Sequence, residues 1–444
     1  MSKVIFTSRT VESGVKTLYL DEETADVHFV FESNGQTDRI PAHKTLLIAA
    51  SKVFRAMFNG QWKEKDEVPI PDVFAADFKM FLQYFYLSEV ELSMENVEAV
   101  MSLSHQYDIG ACFNDCATLL EHSLTADNAC RIYALAIFYG HEELKTECEI
   151  FISLNTENVL KSSGFLEYDR ETLSEIIRLD AISCSETTVF NACVEWVKTT
   201  SEHDEISKVL VQNHLGNLFY DIRFGSMTMQ EFNAICTAHG CLFTDKEQQG
   251  ITKLIKSKKT QWKSFNGTRR VSPLEKSDEL KCNLEADVTP EGHDIEHIET
   301  AKFSTNKTLL LKAIVFCEVY AHVFPMEEPY ELEDNFTGEL TVLEIDPLNT
   351  DEKEARVLYV NENVELLSYE HVTILLPKPL TIRRGFKYEI RFEKNENSGN
   401  GVTAFFISHE VKIKPDIIVK FDRDPYSREN ENHGLVWELR FSDI

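Results

Sequence analysis

Glycine is scarce in this chain, 17 of 444 residues against a usual share of about 7%. That excludes architectures built on glycine-rich repeats, and no internal repeat is visible. Basic residues are also few: 45 Lys and Arg stand against 74 Asp and Glu, a formal net charge of −29. Phosphate backbones and anionic lipid attract the opposite sign, so nucleic acid and membrane are not expected partners, and a protein partner takes their place. No span approaches ~18 uninterrupted apolar residues, since Lys312 breaks the run around Leu309 to Phe316, and Met1-Ser2-Lys3 opens no signal-peptide pattern. The chain is expected to be soluble and cytoplasmic, with Lys253 to Lys259 as a candidate nuclear signal set against a solvated helix end. G-x-x-x-x-G-K-[ST], G-x-G-x-x-G and G-x-S-x-G are all missing, so an enzyme is not expected, nor a cofactor.

What is present divides into segments. At 444 residues the prior is about three domains. Residues 1–124 read as mixed α/β. Val11, Val15 and Leu18 recur at i, i+4, i+7, a helical stripe with little sequence to cover it before the strand Val27 to Phe31, and such a stripe wants a partner surface. Leu46, Leu47 and Ala50 share one face of a short helix; Ser51 is a good N-cap; Val53, Phe54, Met57 and Phe58 form the buried face of a second. A strand over Val68 to Ile70 leads to a helix with Phe78, Phe81, Leu82 and Phe85 on one side. Val90 and Leu92 read as another short strand, and Val97, Val100, Met101 and Ser104 begin a further helix.

Residues 125–256 are patterned as helices throughout, with Ile132/Leu135/Ala136, Leu173/Ile176/Ile177 and Val189/Cys193/Trp196 at helical spacing. Residues 257–298 lose periodicity and pass from basic (Lys258, Lys259, Lys263, Arg269, Arg270) to acidic, which reads as a charged linker. Residues 299–444 alternate like strands, as in Phe386, Tyr388, Ile390, Phe392 and Leu435, Trp437, Leu439, Phe441, and predict an antiparallel sandwich. The fold class is α+β multidomain. Ten cysteines scattered through helix-patterned sequence read as reduced core thiols.

The segment IPAHKTLLIAASKVFRAMF over Ile40 to Phe58, with Ala25 to Phe29 before it and Val68 to Val73 after it, resembles the BTB (POZ) domain family. Phe165-Leu166, Asp169 to Leu173 and Val189 to Trp196 resemble the BACK domain, and Phe303 to Lys307 with Leu309 to Leu311 resembles the opening of a PHR domain, with Glu318, Tyr320 and His322 where that family has glycines. The order BTB, BACK, PHR is similar to that of substrate adaptors of cullin-3 RING ubiquitin ligases. The resemblance implies a non-catalytic homodimer that binds cullin-3 through BTB and BACK and a protein substrate through the sandwich. It places Leu46 in the two-fold interface beside the Val11, Val15, Leu18 stripe. It also places Trp62 and Glu64 where cullin-binding BTB proteins carry a hydrophobic residue, any residue, then glutamate. An exposed aromatic there can enter a partner's pocket while the carboxylate accepts oriented hydrogen bonds; the bland reading is a loop side chain folded onto its own core. Substrate contacts are expected in the loops 327–334, 395–401 and 423–432, with Tyr330 and Tyr426 as anchors and a Lys- or Arg-bearing surface as the partner. The alternative is a BTB scaffold, transcriptional or cytoskeletal, without ligase function.

Three constellations invite chemistry. His43 has no second ligand at helical spacing and is expected as a packed, hydrogen-bonded residue. His293-x-x-Glu296-His297 matches an inverted zincin pattern literally, but that chemistry needs a helix, and Pro290 and Gly292 argue against one. Cys236 and Cys241 are half of a zinc site with no second half in view. No metal is expected.

Overall fold

The structure, a computed structural model, describes residues 9–33, 36–59, 66–87, 90–203, 205–257, 261–262, 265–275, 279–294, 297–321, 336–347, 355–367, 370–395, 401–422, 432–433 and 435–444. It divides into two compact units. One comprises Met1–Ile152, Asn158–Ile177 and Ala192–Gly216; the other comprises Ser153–Glu157, Arg178–Asn191 and Asn217–Ile444.

The first unit opens with α1 (Arg9–Thr17), β1 (Val27–Ser33), β2 (Gln36–Ala42), α2 (Lys44–Ala50), α3 (Lys52–Asn59), β3 (Glu67–Pro69), α4 (Ala75–Tyr86), α5 (Val97–Gln106) and α6 (Gly110–His122). β1 is central in a three-stranded sheet, antiparallel to β2 and parallel to β3. The tandem helices form as their spacing predicts. Leu47, Phe54 and Phe58 are buried, and the Ser51 hydroxyl accepts from the Phe54 N–H at 3.1 Å while donating to the Tyr107 carbonyl at 2.6 Å. Phe54 stacks on Tyr107 at 4.3 Å, and Phe29 meets Phe78 at 4.6 Å, so rings from sheet and helices make one aromatic core. The expected strand at Val90 and Leu92 does not form over the described residues 90–93. Two alternating apolar residues are too few to hold a ladder, and the Glu91 N–H donates to the Gln83 side chain at 3.3 Å instead.

Helices then follow as α7 (Ala129–Tyr139), α8 (Glu142–Leu154), α9 (Thr156–Lys161), α10 (Ser163–Glu167), α11 (Arg170–Arg178), α12 (Glu186–Ser201), α13 (Lys208–Leu215), α14 (Met229–His239) and α15 (Asp245–Ser257). Local chemistry sets their ends. Gly140 stops α7 at φ +64°, a left-handed position that glycine takes without strain. Thr228 and Glu231 form a reciprocal capping box at α14, and Thr244 with Glu247 repeats it at α15. α12 buries Val189, Phe190, Cys193, Val194, Trp196 and Val197, apolar on two faces because it runs inside the helical array.

The C-terminal strands are β4 (Gln261–Trp262), β5 (Phe265–Asn266), β6 (Leu280–Asn283), β7 (Glu285–Asp294), β8 (Ile298–Thr305), β9 (Leu309–Phe316), β10 (Tyr320–Ala321), β11 (Phe336–Ile345), β12 (Arg356–Leu366), β13 (Val372–Ile382), β14 (Lys387–Lys394), β15 (Gly401–Ile407), β16 (Glu410–Lys414), β17 (Ile417–Phe421), β18 (Asn432–His433) and β19 (Val436–Asp443). A six-stranded sheet ordered β12-β11-β14-β8-β17-β16 and a four-stranded sheet ordered β13-β9-β19-β6 are antiparallel throughout and share one core, so the expected sandwich is present. On β14, Tyr388, Ile390 and Phe392 point inward while Lys387 and Arg391 face out. A third small sheet joins β10, β15, β18 and β7.

The segment 257–298, expected as a charged linker, differs from that expectation at both ends. Residues 265–271 pack on helices, and β6 and β7 belong to the sheets; β6 is an edge strand paired with β19. Leu280 and Cys282 on it and Leu284 just after it alternate inward, a period of two among acidic neighbours.

Candidate protein-interaction surface

Of the residues singled out for assembly, Val11 and Val15 lie on α1, Leu18 in the turn after it and Leu46 on α2. Val15 and Leu18 are half-buried in the single chain, as is Leu46, whereas the Val11 side chain lies outside the described atoms. After α1 the chain reverses through Leu20, a non-glycine residue at φ +59°. The Asp21 carboxylate then accepts from the Thr24 hydroxyl, which holds it below the usual carboxylate range. Tyr19 anchors this reversal on α4: its hydroxyl donates to the Lys79 carbonyl at 2.8 Å, and its ring lies 5.8 Å from Tyr86. α2 packs against α3 and α4. Both candidate surfaces therefore rest on α4, a shared support that periodicity in α1 and α2 alone does not reveal.

Trp62 and Glu64 lie outside the described residues, in the span 60–65. What borders that span is well fixed. Phe58 and Val68 are buried on either side, the Asp66 carbonyl accepts from the His28 N–H at 2.7 Å, and Lys44 reaches both borders. Its Nζ lies 2.8 Å from Asp66 Oδ1 and 5.6 Å from the centre of the Phe58 ring. One side chain thus makes an ion pair at one border of the span and a cation–π contact at the other. No sequence pattern marked these contacts of Lys44.

His43 is structural in its surroundings. Its N–H donates to the Tyr86 hydroxyl at 2.9 Å, Nδ1 lies 3.2 Å from that hydroxyl, and Nε2 lies 2.9 Å from Thr24 Oγ1. Burial pushes the Tyr86 phenol up to about 12. Each polar atom of this chain of contacts is engaged within the fold.

On the sandwich, Tyr330 and Tyr426 lie outside the described residues, as do most of the loops named for substrate contact. A feature the sequence did not suggest is a cavity of about 440 Å³ on the outer face of β8, β11 and β14, lined by Thr300, Lys302, Leu343, Ile345, Glu389 and Arg391 among others. Glu389 is held there by Arg391 at 2.7 Å and Lys302 at 3.5 Å. His293 sits on extended β7, opposite Thr403, so no helix presents it with His297. Cys236 is half-buried and Cys241 exposed; among the described residues, no group of three or more His, Cys, Asp or Glu is placed to hold a metal. Among the described residues, no helix is long and apolar enough to cross a membrane.

Comparison with known proteins adds family information to this geometry. Residues 15–124 match the family profile described as BTB/POZ domain, and residues 129–237 match that described as BTB And C-terminal Kelch, the BACK domain. Among similar proteins, BTB/POZ domain-containing protein 3 of Mus musculus is 30% identical over 264 residues, covering 59% of this chain and 50% of that protein. BTB/POZ domain-containing protein 6 of Homo sapiens is 36% identical over 218 residues, covering 48% and 40%. The chain thus spans about half the length of the relatives it matches. Among solved structures, the BTB domain of human gigaxonin aligns over 26% of this chain and 95% of its own length, at 18% identity and a TM-score of 0.22.

Proposed function

We propose that this chain, which carries a BTB/POZ domain followed by a BACK domain, is a dimeric, non-catalytic substrate adaptor of a cullin-3 RING ubiquitin ligase. BTB and BACK domains generally mediate dimerisation and protein–protein contact. The single observation that carries the finer reading is their order, 15–124 then 129–237, followed in one chain by an antiparallel sandwich.

In this reading α1 and Leu46 meet a second copy, Trp62 and Glu64 engage cullin-3, and the sandwich presents loops carrying Tyr330 and Tyr426 to a protein substrate. Catalysis is then proximity: the adaptor raises the local concentration of substrate lysines near a ubiquitin-charged enzyme held by another subunit. The work is assigned to the cytoplasm.

The test is binding of the purified chain to the cullin-3 N-terminal region by calorimetry, alongside light scattering. The unaltered chain should bind as a dimer. Trp62→Ala should weaken binding by about 2 kcal/mol or more, and Glu64→Lys should weaken it by charge reversal. An intact dimer without cullin-3 affinity would make the chain a scaffold without ligase function.

A further inference from the structure

Residues 265–271 come after the last α-helix, yet they pack against helical residues. Phe265 is buried, its ring 5.0 Å from Tyr220, 5.7 Å from Phe224 and 6.3 Å from Phe219. Gly267 approaches Gly225 so closely that a Cβ on Gly225 would stand 3.0 Å from the Gly267 Cα and 2.9 Å from Leu254 Cγ. Val271 donates its N–H to the Asp180 carbonyl at 3.2 Å and bridges Ala181 in parallel.

The polar centre of this contact is Glu186, at the start of α12. Both of its oxygens accept from Arg270 Nη1 at 2.8 Å, and Oε1 also accepts the Arg223 N–H at 2.7 Å. The Glu186 and Arg270 side chains are each 4% exposed. Arg223 extends the network, donating from Nη2 to Asp180 at 2.6 Å and to the Arg178 carbonyl at 3.3 Å, and from Nη1 to the Thr268 carbonyl at 3.4 Å. Every partner named belongs to the second compact unit.

We propose that residues 265–271 are a clasp, closed by Arg270 on Glu186, that turns the chain between the helices and the sandwich from a free tether into a fixed strut. Opening it leaves the Glu186 carboxylate on α12 without its counter-charge, which favours the closed form. A free tether running from Ser257 to Leu280 would let its far end wander over roughly 25 Å. With the clasp shut, only residues 272–279 separate the anchored strand from β6. The clasp holds whichever partner the sandwich binds, and its test is independent of cullin-3.

Limited trypsin digestion of the full chain, read by mass spectrometry, reports the state of the clasp through cleavage after Arg269. Glu186→Gln should raise that rate at least tenfold. Joining Glu186→Leu to Arg270→Met removes both charges and should bring it back within threefold of the unaltered chain. An unchanged rate in Glu186→Gln, or a double variant cut as fast as the single one, overturns the proposal. If Glu186→Gln does not fold, Val271→Pro deletes the N–H that reaches Asp180 at a half-exposed position. Faster cutting after Arg269 in that variant supports the clasp, and an unchanged rate overturns it.

Discussion

The two units bury polar groups of different kinds. In the first, the buried polar side chains among the described residues are His43, Ser51, Ser104, Ser162 and Thr172. In the second they include Glu186, Arg223, Arg270, Glu344, Glu389 and Glu438, so every buried Glu and Arg among the described residues lies there. A hydroxyl is satisfied by one or two hydrogen bonds, and the Ser51 hydroxyl has them in Phe54 and Tyr107. A carboxylate out of water needs a counter-charge as well as hydrogen bonds. Glu344 finds both, with Arg383 Nη2 at 2.7 Å and the Tyr388 hydroxyl at 2.9 Å. In the first unit the Ser51 hydroxyl is satisfied among packed rings, with no buried Glu or Arg among the described residues. The second is held at several points by charge pairs that admit one geometry each.

The contrast can be broken by experiment. The largest effect should come from Glu186→Leu, which leaves Arg270 buried without its carboxylate: about 3–5 kcal/mol lost from the second unit on denaturant unfolding. Ser51→Ala in the first unit should lose only about 1 kcal/mol, and equal losses would erase the distinction. Alkaline titration should address the first unit next. Burial holds Tyr86 and Tyr107 up to about 12, above the ordinary 10. Because the folded values are raised, the contribution is complete below pH 10 and is lost as pH rises to about 12, about 3 kcal/mol for each phenol. Phenolate absorbance near pH 10 that is smaller in a folded Tyr86→Phe, Tyr107→Phe variant than in the unaltered chain, which carries 14 tyrosines, would show these rings to be wet. Tyr388→Phe should cost about 1–3 kcal/mol, since the Arg383 N–H, now at 2.7 Å from the hydroxyl, and Glu344 each lose a partner while the Arg383–Glu344 pair stays. Lys198→Ala, which breaks an exposed pair with Glu195, should change stability by less than about 0.5 kcal/mol.

What the sequence made legible was local. Leu47, Phe54 and Phe58 are buried where helical spacing put them, and Tyr388, Ile390 and Phe392 alternate inward as the strand period requires. Arg270 was illegible for a physical reason. In a run with Lys258, Lys259, Lys263 and Arg269 it reads as one more solvated charge, and its partner Glu186 stands 84 positions earlier on a helix. Lys44 was hidden in the same way, because its two contacts lie across the 60–65 span. Leu280, Cys282 and Leu284 did carry a strand period, masked by the acidic residues around them. Val90 and Leu92 carried too short a one, and a hydrogen bond to Gln83 outweighed it. Trp62, Glu64, Tyr330 and Tyr426 owe their place in the reading to resemblance and to loop composition, and they fall outside the described residues.

The cysteines give the molecule an internal clock. Cys112, Cys116, Cys130, Cys148, Cys193, Cys282 and Cys317 are buried thiols outside any disulfide, and burial pushes Cys130, Cys282 and Cys317 up to about 12. The thiolate is the form that attacks an alkylating reagent, so a sulfur both covered and protonated reacts only when its surroundings part. Cys241 is exposed and marks zero time. Cys112 and Cys116 on α6 then keep time for the aromatic core, and Cys282 on β6 for the edge of the sandwich. Ordered by the moment at which each takes up label, these sulfurs would record which part of the chain breathes first, with no residue changed.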